Sequence, residues 1–152
     1  MSCMRIAVAA ALTVALGAHA ASFANEYELL KKLPPEVQTF IVDHGVPDEL
    51  GYTSFNHRDQ KWYEAGMQRG GCRMVIGAVV DGDAVRADAA WKAVEVTFAH
   101  QLEDGGFESN MKPGDTFPPT KVERVETACF FLQELSRAIL VIQASPMAPQ
   151  FK

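Results

Sequence analysis

The chain has 152 residues, 48% of them hydrophobic and 22% charged, which is enough for one domain with a sizeable core and too little for two. Acidic residues outnumber basic ones by 19 to 14, a net charge of −5. Such a surface repels phosphate backbones and anionic lipid, and so argues against nucleic-acid and membrane-surface partners.

The first twenty residues fall into three zones. Arg5 is their only charge, Ile6 to Ala18 is apolar, and Ala18-His19-Ala20 places small residues at both cleavage subsites. This is the layout of a cleavable secretory signal peptide, and the apolar run is well short of the ~20 residues a spanning helix needs. Cleavage is expected after Ala20, with Ala24 the alternative, leaving residues 21–152 as a secreted or periplasmic domain with no membrane span. Losing Arg5 leaves 13 basic against 19 acidic residues, a net charge of −6. Cys3 departs with the leader. Cys72 and Cys129 remain, able either to pair in an oxidising compartment or to act as small apolar residues on helix faces.

The remaining chain reads as helices in series. Asn25 with Glu28 forms a capping box opening a helix through Leu33. Pro34-Pro35 stops it and starts a second from Glu36 to about His44, with Val37, Phe40 and Ile41 on one face and Gly45 and Pro47 as stop signals. Residues 46–56 read as a surface loop. Asn56 as N-cap, with Asp59 three residues on, opens a helix to about Val80 whose glycines predict a bend near Gly70-Gly71. Asp81-Gly82-Asp83 is the clearest turn, Gly82 ending one helix and Asp83 capping the next. So short a connection makes an antiparallel αα-hairpin. The next helix runs from Ala84 to about Glu103 along a stripe of Ala87, Trp91, Val94, Phe98 and Leu102. After a polar loop over residues 104–119, Thr120 and Glu123 cap a helix reaching Ala144 or Ser145, lined by Val122, Val125, Cys129, Leu132, Leu135, Ile139 and Ile142. Its apolar circumference predicts cover on two sides. With no convincing alternating run, the expected fold class is all-α, built of antiparallel helical hairpins.

The most specific segment surrounds Gln101, Asp104, Gly105 and Phe107, with Phe98 one turn earlier. Gln101 in a last helical turn can bond groups the helix end leaves unpaired. Asp104 can close an Asx-type turn, Gly105 permits positive φ, and Phe107 can fold back on the hairpin. This Q-x-x-D-G-x-F pattern resembles the hairpin repeat of the (α/α) toroid proteins, which include six-hairpin glycosidases, polysaccharide lyases and terpene cyclases. Their motif often ends in tryptophan where Phe107 stands here. A full toroid closes a ring of such hairpins, of which residues 57–145 offer a part. The resemblance implies a partial toroid and contact with a poly- or oligosaccharide. A terpene-cyclase-like reading is weaker, because no Asp-rich segment of that chemistry is present.

Candidate substrate contacts are His57, Arg58, Asp59, Trp62 and Tyr63, the densest polar-aromatic cluster; in toroid families such aromatics stack on sugar faces. As a first helical turn, the same residues read as an Asp59 favouring the helix dipole and a core Trp62. Glu95, His100, Glu103 and Asp104 add carboxylates and an imidazole, although two glycosidase carboxyls must also face each other across a cleft. Glu126 reads as solvated or paired with Arg124 or Arg137. Arg69, Arg73 and Arg86 suit a uronate carboxylate or, more blandly, a solvated basic stripe. No CxxC, HExxH, phosphate loop, dinucleotide fingerprint or GxSxG is present, so neither metal nor cofactor is expected and catalytic residues stay unassigned. The alternative function is a non-enzymatic helical module whose protein partner lies along residues 120–145.

Overall fold

A computed structural model describes residues 26–53, 64–108 and 120–151. These residues are all-α, with one isolated bridge between Gln101 and Phe107 in place of any strand. The helices are α1 (Glu26–Lys32), α2 (Pro35–Ile41), α3 (Arg69–Asp81), α4 (Ala84–Ala99) and α5 (Lys121–Ala144), followed by a 3-10 turn, Ala148–Phe151. The expected capping residue Asn25 and the expected helix start at Asn56 lie outside the described residues, as does the leader.

Helix α3 is the centre of the fold, packed against α4 on one side and α5 on the other, with α1 touching both α3 and α5. Every residue from Met74 to Val80 is buried, so α3 is apolar around its circumference, as a helix enclosed on all sides must be. The doubly covered helix is therefore α3, not α5 as the sequence pattern predicts. Backbone approaches make this possible. A Cβ at Gly71 would overlap that of Ala93 on α4, and one at Gly77 would overlap the carbonyl oxygen of Asp43. The glycines thus serve packing rather than the expected bend. Gly70 and Gly71 lie in the first turn of α3, preceded by turns over residues 65–68.

The buried faces of α4 and α5 also differ from the expected stripes. On α4 the inner face is Ala87, Ala90, Ala93, Val94 and Thr97, while Trp91 is only half-buried and Phe98 and Leu102 reach solvent. On α5 it is Ala128, Phe131, Leu135, Ala138, Val141 and Ile142. Val122, Val125, Cys129, Leu132 and Ile139 are exposed instead. Helix α4 buries mainly small residues, because alanine lets backbones close up where tryptophan would hold them apart. Helix α5 instead buries a mixed face that includes Phe131 and Leu135.

Short elements close the remaining sides of α3. Helix α2 ends at Ile41, earlier than expected, and its face is not a core face: Phe40 is 92% exposed. The stop comes at Val42, which is extended and buried, so the chain can lay Asp43 across Gly77. Gly45 consequently bonds the Asp43 carboxylate rather than capping a helix. The Gln38 amide donates to the carbonyls of Leu30 and Leu33, satisfying the end of α1. Lys31 donates to the Val80 carbonyl at 3.0 Å, a cation at a helix C-terminus. Residues 46–53 do not form a detached surface loop, since Gly51 and Thr53 are buried. Gln68, 1% exposed, fastens them: its amide nitrogen donates to Gly51 O (2.9 Å) and Ala93 O (3.2 Å), and its oxygen accepts from Thr53 N (3.0 Å).

The turn between α3 and α4 follows from its three residues. Gly82 takes φ +74°, and Asp83 accepts from Arg86 N at 2.9 Å as N-cap.

The glycine contacts give a sign test. Helix propensity alone makes Gly77→Ala stabilising by about 0.8–1 kcal/mol. Overlap with the Asp43 carbonyl makes it destabilising by about 1–3 kcal/mol, as overpacked cores are. Urea denaturation of the variant decides between the signs, and a stability equal to or above that of the parent contradicts the packing described.

Candidate functional site

Helix α4 carries two features with chemical content, one at its C-terminal end and one on its outer face. The first is the turn that follows it. The helix stops at Ala99 and not near Glu103, so Gln101 lies beyond the last turn. The reason is a tight reversal that takes the backbone groups further helix would need. Leu102 N donates to Gly106 O (2.8 Å), Gly105 N to Leu102 O (2.9 Å) and Glu108 N to His100 O (2.8 Å). Gly105 sits at φ +83°, and Asp104 Oδ1 accepts from Gly106 N at 3.0 Å, closing an Asx turn. The Gln101 amide reaches the Gly105 carbonyl at a long 3.5 Å, so it addresses the turn rather than the helix end. His100 faces Glu108 at 3.3 Å.

The reversal returns Phe107 to the core, where it is 1% exposed. Its ring meets Phe98 of α4 at 5.9 Å and Phe131 of α5 at 5.6 Å, and those two rings meet each other at 5.9 Å, all edge to face. Three aromatics thereby tie the end of α4, its turn and the middle of α5. Phe131, the largest buried side chain of α5, falls outside the stripe that sequence periodicity selects.

The second feature is a cleft of about 460 Å³ lined by Asp88, Trp91, Lys92 and Glu95 from α4 and by Gln150 and Phe151 from the C-terminal turn. Residues 88, 91, 92 and 95 repeat at three- and four-residue steps, which brings them to one helix face. Two contacts hold the C-terminal turn there. Gln150 Nε2 donates to Asp88 Oδ1 (2.6 Å) and to Ala84 O (3.2 Å), and the Trp91 and Phe151 rings meet at 5.1 Å and 62°. Lys92 and Glu95 are exposed. The lining thus combines an aromatic pair, two carboxylates, one ammonium and one oriented amide. Sequence reading reached Trp91 as core and Glu95 as a stray carboxylate. It missed Asp88 and Lys92, for which the available signal was the three- and four-residue spacing of Asp88 from Trp91 and Lys92 and of both from Glu95. It also missed Gln150 and Phe151, for which no local signal exists.

The three arginines do not form a solvated stripe. The Arg69 guanidinium lies 5.1 Å from the centre of the Phe130 ring, Arg73 pairs with Glu134 at 2.7 Å, and Arg86 pairs with Asp81. Arg137 bonds Glu26 at 2.6 Å and lies 3.6 Å from Glu134, so its partners are these and not Glu126. Asp81 also accepts from His44 Nδ1 at 2.9 Å, pinning the segment after α2 to the end of α3. Partial burial pushes the Asp81 carboxyl up, but hydrogen bonds from Arg86 and His44 outweigh it and hold the group below its ordinary value. Cys72 and Cys129 are free thiols, one buried and one exposed. Burial, then the charge of Glu134, pushes the Cys72 thiol up to about 12, which leaves it protonated and unreactive at neutral pH. Among the described residues no three His, Cys, Asp or Glu side chains gather as a metal site would require, and no helix is long and apolar enough to cross a membrane. The predicted contacts His57, Arg58, Asp59, Trp62 and Tyr63 lie outside the described residues.

The Asp81 cluster predicts a pH dependence with a definite sign. A carboxyl held below its unfolded value of 3.8 contributes stability that is complete above that pH and is lost as the pH falls through the folded value. Asp81→Asn is therefore less stable than the parent at pH 7, and the gap between their urea midpoints closes as the pH drops below 3.8. A gap that stays constant down to pH ~2 contradicts this linkage. Comparison with protein-family models, curated proteins and solved structures finds no match to this chain, so the reading of both features rests on their own residues.

Proposed function

We propose that this chain is an exported, carbohydrate-contacting helical-hairpin protein related to the (α/α) toroid glycosidases and polysaccharide lyases. The observation that carries the reading is the turn after α4. Its Asp104 closure, its positive-φ Gly105 and the return of Phe107 between Phe98 and Phe131 support the reading at three motif positions, while Gln101 bonds the turn rather than the helix end. The α4 cleft adds support, since aromatic faces beside carboxylates and an amide suit polyhydroxylated ligands. Export rests on the three-zone leader in residues 1–20. Sugar contact at Trp62, Tyr63 and the loop over residues 104–119 belongs to the same proposal. Catalysis is not assigned to this chain.

A second reading, a non-enzymatic interaction module, is favoured by the outer side of α5. Val122 is 75% exposed, and Val125, Leu132, Ile139 and Leu140 continue an apolar band along the helix. Contiguous exposed apolar surface of this kind marks interaction sites. On this reading the protein self-associates or binds an apolar dye; a clean monomer in sedimentation that binds no such dye removes it.

The leading proposal predicts two outcomes. The protein recovered from the exporting cell begins at Ala21, or at Asn25 if the alternative site is used, as N-terminal sequencing will show. That mature protein binds members of a panel of poly- and oligosaccharides in calorimetric titration. An uncleaved protein confined to the cytoplasm contradicts export, and silence across the whole panel contradicts carbohydrate contact.

A further inference from the structure

We infer that the cleft between α4 and the C-terminal turn is a sugar-binding site selective for neutral pyranosides over uronates. This rests on the carbohydrate reading above and adds to it the place and the class of ligand. The volume of about 460 Å³ lies within the ~300–1,000 Å³ of small-ligand sites.

The lining is held in advance by tertiary contacts. Phe151 packs edge to face on Trp91, and Asp88 is fixed by the Gln150 amide at 2.6 Å. Groups already ordered lose little further freedom when a ligand arrives. Because both bonds from Gln150 leave through its nitrogen, the side-chain oxygen is left as an acceptor. Asp88 and Glu95 accept from hydroxyls, Lys92 donates to hydroxyl or ring oxygens, and the aromatic pair offers an electron-rich surface to the C–H face of a pyranose.

Charge sets the class. Two carboxylates against one ammonium leave the lining net negative, within a chain of net charge −5. A uronate would bring a carboxylate to Asp88 and Glu95 with only Lys92 to offset it. The arginines that might serve elsewhere are engaged, Arg73 with Glu134 and Arg86 with Asp81. A neutral ring avoids that conflict, and its hydroxyls match the acceptors present.

The test uses the full mature protein, with neutral and uronate oligosaccharides titrated by calorimetry and by NMR of the two tryptophan indole N–H signals, assigned through Trp62→Phe. Neutral oligosaccharides bind at least about tenfold more tightly than uronates and shift the Trp91 signal. Glu95→Gln, a change at an exposed position that leaves the fold intact, weakens that binding about fivefold by exchanging a charge-assisted hydrogen bond for a neutral one. Lys92→Met weakens it as well and widens the margin against uronates, since the two carboxylates are then unopposed. Saccharide binding that shifts only Trp62, or that is unchanged in Glu95→Gln, overturns the cleft assignment while leaving carbohydrate contact standing. Tighter binding of uronates overturns the class. If no saccharide of any class binds, both the cleft and the broader reading fall.

Discussion

The packing of α3 on all sides is the constraint from which the rest of the structure follows. Seven consecutive residues, Met74 to Val80, reach no solvent, so the helix needs neighbours around its whole circumference. A 13-residue helix is about 20 Å long, and surrounding it takes α4, α5, α1 and the extended segment after α2. Two neighbours approach closely through small surfaces, Ala93 over Gly71 and the Asp43 backbone over Gly77, while α5 contributes larger side chains such as Phe131 and Leu135. Close backbone approach raises the number of dispersion contacts per residue, which is how a core with few large side chains reaches the density of a protein interior. The polar ties serve the same geometry. Gln68 fastens Gly51 and Thr53 to the start of α3, while His44 and Arg86 converge on Asp81 at its end.

With its small face committed to α3, α4 has only its end and its outer face left for function, and both carry distinct chemistry. At the end, Phe107 returns to join Phe98 and Phe131, which couples the turn mechanically to α5. On the outer face Trp91 stands among Asp88, Lys92 and Glu95, closed over by Gln150 and Phe151. The ring contact between Trp91 and Phe151 means that the cleft exists only while the C-terminal turn is docked, so the fold of the last residues and the shape of the cleft are one property. Arg69, Arg73 and Arg86 are engaged with their own partners and so are not a free basic stripe for a polyanionic ligand, and the acidic balance of the chain acts in the same direction.

The all-α class and the α3–α4 hairpin were legible because short-range chemistry decides them. Asp81-Gly82-Asp83 carries its own turn and its own cap, and Pro34-Pro35 and Pro146 punctuate regardless of context. The faces were not legible in the same way. Periodicity puts Ala87 and Val94 of α4 and Leu135 and Ile142 of α5 on the buried side, as they are, but runs on through Trp91, Phe98, Leu102, Val125, Cys129 and Leu132, which are not buried. On α4 packing favours the alanine-bearing face, because what is being covered is a glycine-containing helix that admits a close neighbour. Glycines in α3 read locally as weakness and a bend; only the Asp43 backbone and the Ala93 methyl group show them to be contact points. At the candidate sites the same division holds. The Gln101–Phe107 turn could be read from adjacent residues, although a helix propensity running on to Glu103 concealed that the reversal begins at His100. The α4 cleft joins residues more than fifty positions apart, and the Gln150–Asp88 bond has no signature in either local sequence.

Native-state hydrogen exchange measured residue by residue tests the central role of α3 most directly. The amides of residues 75–81 should exchange only through global unfolding and give the highest opening free energies in the chain, above those of α5 despite its greater length, with α2 opening first. If α5 keeps its protection under conditions where α3 has already exchanged, α3 is not the element around which this protein is built.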